Sequence, residues 1–135
     1  DLFIYKNLVP GKYLNDPLNE KALSKVQYGV QLNVNGKKEL KNFQDKYFKL
    51  DYKSVSKTII AHLQVDGNSY VHPGPNPRSI TPREAARIQS FPDWYFFTGT
   101  VSKQFKQIGN SVPPLLAKII AAEFGKILDI INVDD

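Results

Sequence analysis

The 135-residue sequence predicts an α+β fold, with an irregular first third, then a short antiparallel hairpin, then two or three helices. Three observations lead to this prediction. Turn-forming residues interrupt residues 1–57, an Asp-Gly pair separates two strand-like runs between residues 58 and 72, and helix-start signals occur at Thr81 and Ser111.

The composition is that of a globular domain. Hydrophobic residues make up 41% and charged residues 23% of the chain, which excludes disordered and fibrous proteins. Charged residues interrupt the most apolar stretch, residues 115–131, so no membrane span is predicted. Without cysteine the chain has no disulfide, cysteine-based zinc site or thiol nucleophile. It begins at Asp1 and contains no methionine, so we expect a piece of a longer protein.

The positive charge is concentrated in residues 1–57. This segment has eleven lysines and six acidic residues, an excess equal to the whole net charge of +5, while the remaining charges balance. Lysines mixed with aromatic residues suit a polyanion with stackable bases. On charge alone, a solvated lysine-rich surface over an aromatic core is the favoured alternative. The aromatic residues are Tyr5, Tyr13, Tyr28, Phe43, Tyr47, Phe48 and Tyr52.

Local signals in the first third are weak. Residues Lys38–Phe48 predict a short helix, because Leu40, Phe43 and Tyr47 fall on one helical face. The turn signals are Val9-Pro10-Gly11, Asn15-Asp16-Pro17 and Asn33-Val34-Asn35-Gly36.

Residues 58–72 predict a β-hairpin, because the segments on either side of Asp66-Gly67 have strand composition. His62 and His72 would then lie on facing strands. Two histidines without a third ligand do not predict a metal site. The proline-rich residues 73–77 predict an exposed loop.

A helix is predicted from Pro82 to about Ser90. Thr81 fits the N-cap, Pro82 the first helical position, and Glu84 the third, from which its carboxylate can reach the cap amide. The helix must end before Phe91-Pro92, because a residue that precedes proline avoids the helical conformation.

Two apolar features near the C-terminus need to be covered. The aromatic cluster Asp93–Phe97 is interpreted as core packing rather than a stacking surface for a ligand. A last helix, capped by Ser111 with Pro113 and Pro114 in its first turn, extends to about Ile131. Its apolar stripe is wider than that of a surface helix, so we expect it to dock on another structure. The stripe comprises Leu115, Leu116, Ile119, Ile120, Phe124, Ile127, Leu128 and Ile131.

Two segments together resemble a known family. Residues 81–93 read Thr-Pro-Arg-Glu-x-Ala-Arg-x-Gln-x-Phe-Pro-Asp, and residues 107–114 read Gln-Ile-Gly-Asn-Ser-Val-Pro-Pro. This pair is similar to motifs IX and X of the bacterial DNA (cytosine-5) methyltransferases, the modification methylases. The resemblance covers about residues 54–125. Residues 1–53 would fall in the variable target-recognition region of that family.

The resemblance implies only the C-terminal part of such an enzyme. The family's Phe-x-Gly-x-Gly, Pro-Cys, Glu-Asn-Val and Gln-x-Arg-x-Arg motifs do not occur in this sequence. In the family a cysteine thiolate adds to C6 of a flipped-out cytosine, and C5 then takes a methyl group from S-adenosylmethionine. We therefore expect the chain to be inactive alone. The alternatives are a non-catalytic DNA-binding or accessory module and a subunit of a split methyltransferase.

The resemblance also implies partners and surroundings. The expected partners are double-stranded DNA and the N-terminal catalytic half of the same enzyme, in cis or as a separate chain. The expected cofactor is S-adenosylmethionine, without a metal, and the expected location is the bacterial cytoplasm near the nucleoid. The last helix would pack on a Rossmann-like methyltransferase domain. The predicted segments are 1–57 (target recognition), 58–77 (hairpin and loop), 78–97 (motif IX-like helix and aromatic cluster) and 98–135 (motif X-like loop and last helix).

By the same resemblance, Gly109, Asn110, Ser111 and Val112 would form one wall of the cofactor pocket. A glycine permits close approach, and free amides at a helix N-terminus suit the methionyl carboxylate. The alternative is a plain serine cap after a Gly-Asn turn.

The remaining candidates are DNA-contacting or structural. Arg83 and Arg87 lie four residues apart on one helix face, where they either reach phosphates or pair with acids, and a structural role is favoured. The candidate DNA contacts are Lys53, Lys57, Arg78, Arg83 and Arg87, with base readout near residues 53–57, Gln64, Asn68 and Asn76. The candidate scaffold residues are Thr81, Pro82, Glu84, Phe91 and Pro92.

Overall fold

The computed structural model describes residues 2–14, 16–26, 30–32, 34–40, 47–65, 67–76 and 78–131. Helices and short strands are mixed in these residues, so the α+β prediction is confirmed. The α-helices are α1 (Leu2–Lys6), α2 (Glu20–Leu23), α3 (Pro82–Ile88), α4 (Val101–Gly109) and α5 (Pro114–Ile131). The strands are β1 (Val30–Leu32), β2 (Lys38–Leu40), β3 (Phe48–Lys49) and β4 (Tyr70–Val71).

The chain divides into two compact units. The first comprises Asp1–Thr58 and Val65–Thr81, and the second comprises Ile59–Gln64 and Pro82–Asp135. The core of the first unit is built from α1, α2, β4 and the loops between them. Its buried residues are Ile4, Tyr5, Leu8, Leu14, Ala22, Leu23, Val26 and Val71.

The first unit contains an antiparallel strand pair that the sequence analysis did not place. β1 pairs with β2 around the Asn35-Gly36 turn, and Gly36 has the positive φ of 72° that glycine adopts readily. The helix predicted over Lys38–Phe48 is therefore wrong at both ends, which are strands β2 and β3. Residues 41–46, the middle of that prediction, lie outside the described residues. Strand pairing overrides the helical spacing of the apolar residues.

The hairpin predicted over residues 58–72 is also wrong. Ala61–Gln64 and Gly67–Ser69 form 3₁₀ turns, so His62 and His72 do not lie on facing strands. Ile59 and Leu63 are buried while His62 is exposed, the pattern of a helical turn, so burial overrides strand propensity.

β4 pairs with β3 in parallel, with Phe48 opposite Tyr70. Ser79 bridges Val71 in the antiparallel sense, and Ile80 N donates to Tyr70 O at 3.1 Å. β4 is thereby hydrogen-bonded both to β3, which is distant in sequence, and to Ser79 and Ile80, which directly precede Thr81 and α3.

In the second unit, α3 and α5 form where helices were predicted, and Pro82 is the first residue of α3 as predicted. Helix α5 ends at Ile131 as predicted but begins at Pro114, later than a cap at Ser111 implies. Helix α4 was not predicted. It packs against α3 and the Ala61–Gln64 turn and buries Ile108 completely. The Thr100 hydroxyl caps it by accepting from Lys103 N at 3.4 Å. With α4 and the short helices α1 and α2, the described residues contain more than the two or three helices predicted.

Candidate functional site

The predicted cofactor segment Gly109–Val112 connects α4 to α5. Gly109 is the last residue of α4, and the Asn110 backbone N–H donates to Lys106 O at 3.1 Å. The residues Asn110 and Val112 are exposed, whereas Ser111 is half-buried. The segment therefore lies at the surface of the second unit and presents one amide and one apolar side chain.

Gly109 is needed for the packing of α4. A Cβ atom at this position would lie 2.7 Å from the carbonyl oxygen of Ile60 and 3.0 Å from that of Ala61. Both distances are shorter than van der Waals contact, so a larger residue would displace the backbone of the neighbouring segment. The glycine thus permits a close approach within the protein, in addition to any contact with a cofactor.

Ser111 does not cap α5, contrary to the prediction. Its hydroxyl donates backwards to Ile108 O at 2.7 Å. Helix α5 begins at Pro114, and the cap is supplied by Ser90, whose Oγ accepts from Leu115 N at 3.1 Å. Since Pro114 has no N–H and that of Leu115 is engaged, the first two residues of α5 have no free amide for an anion. The predicted helix N-terminal contact to a carboxylate is not available at these two residues.

The two candidate arginines on α3 make contacts within the second unit. Arg83 Nη2 donates to Tyr95 O at 2.8 Å, and its guanidinium lies 5.9 Å from the centre of the Phe96 ring. Arg87 donates to both carboxylate oxygens of Asp93 at 2.8 Å. These hydrogen bonds lower the pKa of Asp93 and raise that of Arg87. Both arginines hold the turn after α3 against the helix.

The candidate DNA contacts of the first unit differ in their surroundings. The half-buried Lys57 places its Nζ 5.4 Å from the ring centre of Tyr13 and 5.2 Å from that of Tyr70. Lys53 and Arg78 are exposed. Lys53 lies in a turn, and its backbone N–H donates to the Asp51 carboxylate at 3.1 Å.

The burial predicted for the aromatic cluster Asp93–Phe97 is wrong in the described residues. Trp94 is 74% and Phe96 is 78% exposed. Phe91, Tyr95 and Phe97 pack against one another in tilted and edge-to-face arrangements, with ring centres about 5 Å apart. In the described part of the chain, the short turn after α3 lets these rings pack together but leaves most of the Trp94 and Phe96 side chains exposed, with the Arg83 guanidinium near the Phe96 ring. Beside them is a groove of about 240 Å³ lined by Pro82, Arg83, Phe96, Phe97 and Gln104.

Helix α5 exposes its apolar stripe, in agreement with the expectation that this chain does not cover it. Seven large apolar residues along the helix are between 44% and 63% exposed. They are Leu115, Leu116, Ile119, Ile120, Phe124, Ile127 and Leu128. Among the described residues, no helix is long and apolar enough to cross a membrane.

Comparison with known proteins identifies the family. Residues 4–126 match the family model of the C-5 cytosine-specific DNA methylases. The chain belongs to this family. The resemblance that motifs IX and X carry is therefore confirmed at the level of the family.

Several DNA methylases resemble the chain over part of their length. The type II methyltransferase M.AgeI of Thalassovita gelatinovora is 49% identical over 79 residues, 58% of this chain and 18% of that protein. The type II methyltransferase M.Bpa9945I of Bacillus paralicheniformis is 43% identical over 96 residues, 70% of this chain and 21% of that protein. DNA (cytosine-5)-methyltransferase 3 of Arabidopsis thaliana is 34% identical over 102 residues, 74% of this chain and 7% of that protein.

The chain thus spans about a fifth of the length of these bacterial methylases. No solved structure matches it.

Two residues that hold the chain on either side of the predicted cofactor segment were not among the predicted site residues. Gln89 and Ser90 follow α3 directly. They hydrogen-bond to Ile108, just before Gly109–Val112, and to Leu115, three residues after it. The signal available in the sequence was the polar pair between the end of α3 and Phe91-Pro92. It was interpreted only as the place where the helix stops.

Proposed function

We propose that this methylase-family chain is the C-terminal part of an S-adenosylmethionine-dependent DNA (cytosine-5) methyltransferase. It would contribute target recognition and one wall of the cofactor site. The observation that carries the proposal is the exposed apolar stripe of α5, directly after the motif X segment Gly109–Val112. A helix of this kind needs a partner surface, and a motif X segment at its start needs the rest of a cofactor pocket.

The partner surface would be the catalytic remainder of the same enzyme, in cis or as a separate chain. Burial of each large apolar side chain of α5 would contribute about 1.5–3 kcal/mol. The bacterial relatives are about five times as long as their matched segments, so a protein of their length has ample chain for this surface. We infer that α5 packs on the methyltransferase domain, as the family resemblance implies.

The cofactor segment suits S-adenosylmethionine through two exposed side chains. The Asn110 amide can both donate to and accept from the charged amino-acid group of the cofactor, and Val112 offers an apolar contact. When bound, the cofactor supplies the methyl group. The nucleophilic cysteine would come from the catalytic half, since this chain has none. The chain alone would therefore be inactive.

For DNA binding, we propose Lys53 and Arg78 as phosphate contacts, because both are exposed basic residues of the first unit. Lys57, Arg83 and Arg87 were candidates as well. Their contacts with aromatic rings, carbonyl groups and Asp93 favour a scaffold role for them. The surplus of lysine in residues 1–57 would supply the remaining attraction for DNA.

The decisive experiment mixes this chain with a separately produced catalytic half of the enzyme and measures transfer of a labelled methyl group to mixed-sequence DNA. We expect activity from the mixture and none from either half alone. Methyl transfer by this chain alone would contradict the proposal that it is inactive.

Salt dependence separates the alternatives. We expect the affinity of the mixture for DNA to fall steeply with salt, because lysine–phosphate contacts release counterions. Tight, salt-sensitive DNA binding by this chain without restored methyl transfer would favour the non-catalytic accessory module instead.

A further inference from the structure

We infer that Gln89 and Ser90 are positioning residues, which hold Gly109–Val112 in the shape that contacts the cofactor. The inference rests on the proposed function, because it concerns the cofactor wall. It adds that the end of the motif IX helix controls the conformation of motif X.

Ser90 occupies a position where glycine is usually found. Helix α3 ends with Phe91 N donating to Ala86 O and Ser90 N donating to Arg87 O, both at 2.9 Å. This is the Schellman arrangement, in which the residue at the place of Ser90 is left-handed and is most often glycine. Ser90 has a φ of +63°. A serine here lacks the conformational freedom of glycine, which directs attention to the contacts of its hydroxyl.

The hydroxyl makes its contact at the start of α5. Ser90 Oγ accepts a hydrogen bond from Leu115 N at 3.1 Å, from a residue twenty-five positions later in the chain. It replaces the local cap that Ser111 does not provide, because the Ser111 hydroxyl donates to Ile108 O. The hydroxyl thereby holds the first turn of α5, three residues beyond the C-terminal end of the cofactor segment.

Gln89 holds the chain on the other side of the segment. Its side chain is buried, and Nε2 donates to Ile108 O at 3.3 Å. The same carbonyl accepts from Ser111 Oγ at 2.7 Å and from Ser111 N at 3.2 Å. The residue before Gly109 is thus held from the end of α3, and Gly109 itself is packed against the Ile60 and Ala61 carbonyls.

Ile108 and Leu115, which flank the segment, are thus both held from the end of α3. Asn110 and Val112 would then be presented in one conformation before the cofactor arrives, and preorganisation of this kind lowers the entropy cost of binding. Loss of either hydrogen bond should weaken cofactor binding without the removal of any group that touches the cofactor.

The test uses the full-length enzyme that contains this chain, with S-adenosylmethionine affinity measured by calorimetry. Ser90→Gly removes the hydroxyl while glycine keeps the left-handed conformation, so we expect the melting temperature to be preserved. We expect the dissociation constant for the cofactor to rise roughly five- to tenfold, as for the loss of one hydrogen bond. Ser90→Asn should restore much of the affinity, because asparagine tolerates this conformation and has an acceptor oxygen.

A matched pair tests Gln89. Gln89→Met keeps the length of the side chain and removes the donor, and we expect a similar loss of cofactor affinity. The control is Gln107→Met, because Gln107 Nε2 donates to Thr98 O and Lys103 O, outside the cofactor segment. DNA affinity, measured in parallel, should be the same for all of these variants.

Two results would overturn the inference. One is cofactor affinity equal to wild type in both Ser90→Gly and Gln89→Met. The other is a loss of cofactor affinity that is accompanied by a lower melting temperature and by weaker DNA binding, which indicates a general structural role. Asn110→Ala separates the two proposals. If Asn110→Ala leaves cofactor affinity unchanged, the proposed cofactor wall is wrong. If Asn110→Ala weakens cofactor binding but Ser90→Gly and Gln89→Met do not, only the positioning role is wrong.

Discussion

At the scale of residues, a buried amide holds together a loop that has little regular structure. Asn19 is completely buried, and its Oδ1 accepts from Val9 N at 2.7 Å. Its Nδ2 donates to Tyr13 O at 2.6 Å. One side chain therefore satisfies two backbone groups of the loop that follows α1, which explains why an irregular segment packs onto the core of the first unit.

We predict that Asn19→Leu lowers the free energy of unfolding by about 2–4 kcal/mol, because a backbone donor and a backbone acceptor lose their partner. The measurement is urea unfolding of the chain. Asn7→Leu is the matched control, since Asn7 is half-buried and its side chain makes a single hydrogen bond, to Phe3 O. If the two variants lose the same amount of unfolding free energy, the two buried hydrogen bonds of Asn19 contribute no more to stability than the one hydrogen bond of Asn7.

Local signals predicted the start of α3 and the approximate ends of α3 and α5, but not the cap of α5. Pro82 and the end of α3 near Ser90 follow from short-range steric rules, which is why they were predictable. The cap of α5 was assigned to Ser111 by proximity in sequence, whereas Ser90 provides it. A contact between residues twenty-five positions apart leaves no periodic signal in a single sequence.

At the scale of elements, the correct predictions were those with sharp start and stop signals, such as α3 and α5. The incorrect ones, over residues 38–48 and 58–72, concern short segments whose conformation depends on packing and pairing. Helix α4 was readable in principle, since Val101, Phe105 and Ile108 have helical spacing after the Thr100 cap. The cofactor role of Gly109–Val112 stays a prediction, and the roles of Gly109 and Ser111 in packing depend on neighbours that only the fold brings close.

The packing of α4 yields a second prediction. Gly109→Ala would place a Cβ atom 2.7 Å from Ile60 O, and the backbone that carries this oxygen must move. We expect a loss of about 1–3 kcal/mol in unfolding free energy, as for other overpacked sites. Thermal unfolding followed by circular dichroism measures it.

Gly125→Ala provides the control, because nothing lies within 4 Å of a Cβ atom at this position in α5. There, alanine should stabilise the helix by about 0.5–1 kcal/mol. If Gly109→Ala were equally stabilising, the close approach of α4 to Ile60 would be refuted.

At the scale of the whole molecule, the two exposed apolar features belong to the same unit. The aromatic pair Trp94 and Phe96 follows α3, and the stripe of α5 follows the cofactor segment. The turn that carries the aromatic pair begins next to Ser90, which caps α5. If the chain is part of a longer methyltransferase, as proposed, we expect the remainder of that protein to cover these surfaces.

The final prediction tests the docking of α5. Phe124 is 60% exposed, so Phe124→Glu should change the unfolding free energy of the chain by less than about 0.5 kcal/mol. It should weaken association with the catalytic half at least roughly tenfold, because a buried ring is lost and a charge must be desolvated. Lys118→Glu, an equally drastic change on the same helix outside the apolar stripe, should have little effect. The measurement is methyl transfer as a function of the concentration of added chain. If the two variants require the same concentration for half-maximal activity, the stripe of α5 is not the docking surface.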